Sequence, residues 1–217
     1  NDFYQTGDTR TTRATLESTS SPTSELQLAW LALVAHVHGW YSGETDFTRS
    51  LLFGFEKQLL EASEQVLMAS RSPKVEELNP AGPIVLAAAC KATGSRRRFA
   101  GSIEEAEHWS ERAEQLKEVM ERSWSDEENL YLSVGDLDGS RLLNALILFF
   151  GLASDHRQAA IVEGMRAIDP NGATLLRTRF FEIGGLWKAG ATELAIGGLQ
   201  QHWSRLENRK GATWAEK

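Results

Sequence analysis

The stretch LQLAWLALVAHVHG at residues 26–39 is apolar on nearly every side of a helix, and DFTRSLLFGFEKQLLEASEQV follows it at residues 46–66. In the second stretch apolar side chains recur at steps of three and four, from Phe47 to Val66, with polar side chains between them. The first pattern predicts a helix buried on all sides, and the second predicts an amphipathic helix with one buried stripe. Such a pair indicates two layers of helices.

The same alternation continues along the chain. The later helical stretches are 84–92, 102–120, 142–152, 155–167, 174–188 and 191–205. A simple bundle would make most helices amphipathic, whereas inner helices wrapped by outer ones produce this alternation. We therefore predict an all-α fold, an α/α toroid of inner and outer helices with about eight to ten helices. Residues 1–217 are expected to be a single domain or a large fragment of one, because both ends look cut.

The composition excludes several classes of protein. A net charge of −7 argues against a nucleic-acid partner, because binding to phosphates needs a cationic face. No apolar run approaches the roughly 20 residues of a membrane span, so no membrane partner is expected. The single cysteine cannot form an internal disulfide, which leaves both a cytoplasmic and a secreted location open. Seven tryptophans are many for 217 residues, and large aromatic side chains fill cores or line ligand clefts.

Local signals add three smaller predictions. Asp46 is the predicted N-cap of the amphipathic helix, and Ser102 with Glu105 is predicted to form a capping box. The segment 94–101, which carries three consecutive arginines, is predicted to be a solvated loop.

Metal and nucleophile motifs give no support for an enzyme. His36 and His38 are two positions apart, so on a helix they point to different sides and cannot share one ion. Cys90 lies in an apolar run and is predicted to be a small core residue. Asp136 and Asp138 are flanked by glycines and are typical of a turn. No metal site and no cofactor are therefore expected.

Carboxylates beside aromatic residues are the remaining candidates for chemistry. Asp8 follows an aromatic pair closely, and Glu216 follows Trp214 in the segment GATWAE. Hydrolysis of a glycosidic bond needs a proton donor and a base or nucleophile, both usually carboxyl groups, together with apolar ring faces that hold the sugar. Either acid could equally be a cap or a surface residue.

Several segments resemble, in order, the catalytic domain of α-L-rhamnosidases and related six-hairpin glycosidases. The closing segment GATWAE resembles the family's Gly-Ala-Thr-x-Trp-Glu motif, and the preceding GATELA with His202-Trp203 resembles the helix that leads to it. The other matching segments are TGD at 6–8, WYSGE at 40–44, RSWSDEENLY at 122–131, LNAL at 143–146 and FGL at 150–152. The match spans nearly the whole chain.

The resemblance implies an (α/α)6 toroid and inverting hydrolysis of a terminal sugar. Among the terminal sugars, α-L-rhamnose is the favoured prediction. Glu216 would act as the general base, and Asp8 would complete the catalytic site as a ligand of a sugar hydroxyl. The tryptophans Trp214, Trp40 and Trp30 would supply ring faces that bind the substrate. The implied partner is thus a carbohydrate, and neither a metal nor a cofactor is required.

The sequence also departs from the family. The family's general acid lies just upstream of the Gly-Asp segment, where this chain begins with Asn1-Asp2-Phe3-Tyr4, and a small residue separates Trp214 from Glu216. The last helix of the toroid is missing, which would expose inner apolar faces unless flanking domains or a homo-oligomer cover them. Two alternatives therefore stay open, namely another sugar-active toroid enzyme (a uronyl hydrolase or lyase) and a non-catalytic helical interaction protein without the general acid.

Overall fold

A computed structural model describes residues 13–14, 16–17, 24–71, 81–133, 137–167 and 176–208. The bounds of the elements are α1 (Glu25–Ser42), α2 (Thr45–Ser70), α3 (Ala81–Phe99), α4 (Ile103–Met120), a 3-10 turn (Glu121–Ser123), β1 (Trp124–Ser125), β2 (Leu130–Tyr131), α5 (Leu137–Phe150), α6 (Asp155–Ala167), α7 (Leu176–Lys188) and α8 (Thr192–Asn208). The prediction of an all-α fold is confirmed. The described residues fall into two compact units, an N-terminal unit that ends at Trp124 and a C-terminal unit that starts at Ser125.

Two nearly fully buried helices, α1 and α3, form the centre of the N-terminal unit. Helix α1 begins at the cap residue Ser24, whose side chain accepts a hydrogen bond from the backbone N–H of Gln27. Almost every side chain of α3 from Pro83 to Ala92 is buried, because this helix packs against α1, α2 and α4 together. The predicted inner character of both helices is confirmed.

The partner helices α2 and α4 are amphipathic. The stripe of α4 buries Ala106, Trp109 and Leu116 against α3, while its glutamates stay exposed. A methyl group at Gly94 of α3 would lie 3.1 Å from the Cβ atom of Trp109 and 3.2 Å from the carbonyl of Ala106, so the two helices approach closely there. Small residues on the inner helix thus determine the distance between the layers.

The C-terminal unit repeats this arrangement with α5 and α7 as its buried pair. Helix α5 buries every side chain from Leu143 to Phe149. A methyl group at Gly185 of α7 would lie 2.8 Å from the carbonyl of Ala145, which shows how closely the two helices pack. Their ends share a cluster of four aromatic rings with centroids 5.0 to 6.2 Å apart, namely Phe149, Phe150, Phe180 and Phe181.

Each inner helix connects to its outer helix through a short turn with a glycine in the left-handed region. The four glycines have φ angles between 60° and 84° and are Gly43, Gly101, Gly151 and Gly190. At the last three, the next residue donates its N–H to a carbonyl five residues back, which satisfies groups that the helix end would leave unpaired. The return from outer to inner helix spans more sequence, from Ser70 to Ala81 and from Ala167 to Leu176.

Four local predictions were wrong. Asp138, which was predicted to lie in a turn, is in the first turn of α5. Residues 94–101 are not a solvated loop, because α3 continues to Phe99; Arg96 is buried, and Arg97 forms ion pairs with Glu56 and Glu105. Ser102 makes no side-chain capping hydrogen bond, so the capping box is absent. Asp46 is not the N-cap of α2. It lies in the first turn of this helix and pairs with Arg49.

Within the described ranges, none of the helices combines the length and apolarity needed to cross a bilayer.

Candidate functional site

The site residues predicted from the sequence are largely beyond the part of the chain that the structure describes. Asp8, Trp214 and Glu216 lie outside the described residues. Trp40 is in the last turn of α1, but its side chain is not among those described, and Trp30 is half-buried on the same helix. Their assembly into one site therefore stays a prediction.

Two of the histidines and the cysteine of the N-terminal unit belong to its core. His36 and His38 are buried in α1, and the ring of His38 packs edge-on against Phe47. Cys90 is fully buried in α3, and this burial raises the pKa of its thiol to about 12. Among the described residues no three His, Cys, Asp or Glu side chains lie close enough together to hold a metal ion.

One motif from the family resemblance has a structural role. Asn144, in the segment LNAL of α5, is buried and binds both backbone polar groups of Tyr131 in the short strand β2. Its Oδ1 accepts a hydrogen bond from the N–H of Tyr131 at 3.0 Å, and its Nδ2 donates to the carbonyls of Tyr131 and Ser140 at 2.8 and 2.7 Å. An asparagine can do this because one side of its amide accepts and the other donates.

A cluster of buried charges lies in the C-terminal unit, where α5 meets α7. Glu182 of α7 accepts two hydrogen bonds from Arg141 of α5, 2.6 Å from its Nη2 and 3.1 Å from its Nε. Nη1 of Arg179, one turn before Glu182, lies 3.2 Å from both carboxylate oxygens. The three side chains are only 4 to 6% exposed. Two guanidinium groups thus hold one carboxylate in a fixed position on two packed helices.

A cavity of about 340 Å³ opens beside this cluster, between α6, α7 and α8. Its polar lining residues are Arg141, Arg166, Arg179, Glu182, Glu193 and Gln201. The remaining wall is apolar or lacks side chains, and it is formed by Met165, Leu186, Leu194, Gly197 and Gly198. Hydrogen-bonding groups on one side and apolar groups on the other are the usual make-up of a site for a small polar molecule.

The N-terminal unit has a hollow of about 290 Å³ that is different in kind. Its described lining is a single face of α2, from Phe47 through Gly54 to Gln58, and contains no charged side chain. The cavity beside Glu182 is therefore lined by charged side chains that this hollow lacks.

The sequence reasoning missed this cavity and its buried charges. Arg141 precedes an almost wholly apolar run, and Arg179 and Glu182 lie three positions apart in another helix. The spacing of Arg179 and Glu182 predicts an ordinary helix-surface ion pair. The length of the apolar sequence around these residues is the one signal that could have predicted their burial.

Comparisons with known proteins identify the fold. No protein-family model matches the sequence, and a search of curated proteins finds no significant match. A rhamnosidase from Klebsiella oxytoca with rhamnose bound is similar in structure, with a TM-score of 0.63 and 16% identity over 85% of this chain and 38% of that chain. A GH78 family rhamnosidase of Bacillus sp. GL1 is similar with a TM-score of 0.60 and 16% identity, over 85% of this chain and 22% of that one.

This likeness confirms the resemblance to the helical domain of rhamnosidases at the level of fold. At 16% identity it shows the fold alone. The chain spans well under half the length of either enzyme, which agrees with a partial copy of their helical domain.

Proposed function

We propose that this chain is part of a glycoside hydrolase that removes a terminal sugar with inversion, and that α-L-rhamnose is that sugar. The observation that carries the proposal is the structural likeness to two rhamnosidases over 85% of the chain. The order of the family-like segments along the sequence, from TGD at 6–8 to GATWAE at 211–216, supports it.

In the proposed reaction Glu216 is the general base. It would remove a proton from a water that attacks the anomeric carbon, and Asp8 would hold a hydroxyl of the sugar. In an inverting enzyme the acid and the base lie roughly 6.5–9.5 Å apart, because the water occupies the space between the base and the sugar. The rings of Trp214, Trp40 and Trp30 would pack against the apolar faces of the substrate.

We propose that residues 1–217 form a single α/α-toroid domain or a large part of one. The rhamnosidases that share the fold are much longer chains, since this chain covers only 38% and 22% of them. No residue of this chain is assigned as the general acid.

The decisive experiment is an assay of the full-length polypeptide with p-nitrophenyl α-L-rhamnoside and a panel of other aryl glycosides. p-Nitrophenolate leaves without being protonated, so this substrate reveals the general base even if the general acid is weak. We expect Glu216→Gln to lower kcat by at least about a hundredfold, in the range typical for loss of a general base. Glu118→Gln is the matched control, because Glu118 is exposed on the outer face of α4. Full activity of the Glu216→Gln variant would remove Glu216 from the mechanism.

A further inference from the structure

We propose that Arg13 is a positioning residue for Asp8, because it attaches the N-terminal segment of the chain to the turn between α1 and α2. The inference rests on the proposed function only for the role of Asp8, which is to hold a hydroxyl of the sugar. The contacts of Arg13 with the Glu44 carboxylate and the Phe47 ring, here called the Arg13 anchor, are the evidence. These three residues belong to the N-terminal unit.

The guanidinium group of Arg13 is held by groups that lie much further along the chain. Its Nη1 donates a hydrogen bond to Oε2 of Glu44 at 2.9 Å, and its Cζ lies 4.6 Å from the centroid of the Phe47 ring. Its Nε donates to Oε1 of Glu17 at 2.9 Å, and the neighbouring Leu16 is only 1% exposed. An exposed ion pair alone holds a segment weakly, whereas an ion pair, a ring face and a buried side chain together fix it.

The carboxylate of Glu44 is available to Arg13 because it does not cap its own helix. Glu44 is the N-cap residue of α2, yet its side chain makes no capping hydrogen bond, and glutamate is not among the residues that cap well. Its backbone is fixed by two hydroxyl groups. The N–H of Glu44 donates to Oγ of Ser42 at 3.1 Å, and its carbonyl accepts from Oγ1 of Thr48 at 2.9 Å. The side chain thus contributes to the Arg13 anchor and not to the helix.

Both partners of Arg13 also contact the core of the N-terminal unit. The ring of His38, which is fully buried in α1, packs edge-on against the Phe47 ring with 5.9 Å between the centroids. Nε2 of His38 lies 3.8 Å from Oε2 of Glu44, the oxygen that accepts from Arg13. These contacts limit the movement of the carboxylate and of the ring, so the Arg13 anchor is attached to a rigid part of the unit.

The anchor can affect Asp8 because the two residues are close in sequence. Asp8 precedes Arg13 by five positions, and five residues of extended chain span no more than about 18 Å. Fixing Arg13 therefore limits the places that the Asp8 carboxylate can occupy. The groups of a binding site need positions accurate to roughly 0.5 Å. Loss of the anchor is therefore expected to weaken substrate binding more than it destabilises the fold.

The test compares Arg13→Met and Glu44→Gln with Arg49→Met in the full-length polypeptide. Arg49 is the matched control, because it is 50% exposed against 46% for Arg13 and its ion-pair partner, Asp46, lies in the same helix. Hydrogen exchange measured by mass spectrometry reports on the peptides that precede Arg13. Steady-state kinetics with p-nitrophenyl α-L-rhamnoside gives KM and kcat. Asp8→Asn, alone and combined with Arg13→Met, shows whether Arg13 acts through Asp8.

We expect hydrogen exchange in these peptides to be at least about fivefold faster in Arg13→Met and Glu44→Gln, and unchanged in Arg49→Met. KM should rise about fivefold in the same two variants with kcat within about twofold of the wild type, since lost substrate binding raises KM alone. A smaller folded fraction would instead lower the apparent kcat and leave KM unchanged. Arg13→Met should add less than about twofold to the KM of Asp8→Asn, because changes that act on one contact are not additive.

Unchanged hydrogen exchange in Arg13→Met and Glu44→Gln would overturn the inference and leave the hydrolase proposal intact. An unchanged KM in these variants, equal effects of Arg49→Met, or an additive rise of KM in the combined variant would also overturn it. Faster exchange in both variants, together with no hydrolysis by the wild type, would support the inference that Arg13 positions the segment and count against the proposed function. The two proposals can therefore fail separately.

Discussion

Each unit buries an arginine in an inner helix, but the two arginines have different partners. Arg96 of α3 is 8% exposed, and its Nη2 donates to the backbone carbonyl of His36 at 2.9 Å. Among the described residues its Nε has no hydrogen-bond partner, and burial lowers the pKa of Arg96. Arg141 of α5 is 3% exposed and makes two hydrogen bonds to the carboxylate of Glu182.

The difference shows that the two units use buried charge for different purposes. In the N-terminal unit the small residues of α3 pack closely, and Arg96 only ties this helix to α1. In the C-terminal unit the charges of Arg141 and Glu182 depend on each other and line a cavity. A buried ion pair contributes little net stability compared with apolar packing, but removing one of its partners leaves an uncompensated buried charge.

The largest effect is expected for Glu182→Gln. This change removes the carboxylate that two buried guanidinium groups share, and loss of one partner from a buried ion pair typically costs about 3–5 kcal/mol. We expect the free energy of unfolding to fall by that amount in urea denaturation followed by circular dichroism. Glu127→Gln, an exposed position in the same unit, should change it by less than about 0.5 kcal/mol. Similar effects of both changes would show that the cluster is not coupled in the way we describe.

Asn144→Ala tests how much a second set of polar contacts stabilises the C-terminal unit. It removes three hydrogen bonds and leaves the buried N–H and carbonyl of Tyr131 without this partner. Buried polar groups that lose their partner cost about 1–3 kcal/mol each, so we expect a loss of about 2–4 kcal/mol in the same measurement.

The counterpart in the N-terminal unit is Thr93→Val. The hydroxyl of Thr93 is buried and donates only to the carbonyl of Ala89 within its own helix. We expect a loss of less than about 1 kcal/mol, because this carbonyl belongs to the helix in any case. Equal losses for Thr93→Val and Asn144→Ala would contradict the view that a polar contact between two elements contributes more than one within a single helix.

The sequence predicted the helices well because the apolar pattern has the period of the structure it forms. The arrangement in inner and outer layers was also predicted, because α1 and α3 are apolar all round and α4 has one apolar stripe. The segment with Arg96 and Arg97 was misjudged because the ion partners of Arg97, Glu56 and Glu105, are on other helices, and no local pattern reveals them.

The same limit explains the candidate site. Arg141 and Glu182 are 41 positions apart, and only the packing of α5 on α7 brings them together. The described family-like segments mark structural positions, for example the turn at Gly151 after α5 and the contact of Asn144 with β2. They could therefore predict the fold, whereas the predicted chemistry rests on Asp8 and Glu216.

Arg96→Met tests the comparison of the two buried arginines directly. Methionine fills a similar volume and removes a charge whose burial is unfavourable, at the loss of one hydrogen bond to a backbone carbonyl. We expect the free energy of unfolding to change by no more than about 1.5 kcal/mol, against a loss of about 3 kcal/mol or more for Arg141→Met, which leaves Glu182 with only one of its two guanidinium partners. Equal losses would mean that the two arginines do not differ in the way we infer.

The smallest effects should be alike in the two units, because they depend on helix propensity alone. Gly54 in α2 and Gly197 in α8 are exposed positions within helices, and a methyl group at either meets no atom within 4 Å. Gly54→Ala and Gly197→Ala should each raise the free energy of unfolding by about 0.5–1 kcal/mol, since alanine restricts the unfolded chain more than glycine does. Gly185→Ala is the contrasting control, because its methyl group would lie 2.8 Å from the carbonyl of Ala145 and should destabilise the protein. A stabilising effect of Gly54→Ala without one of Gly197→Ala would contradict the view that helix propensity alone determines the effect at both positions.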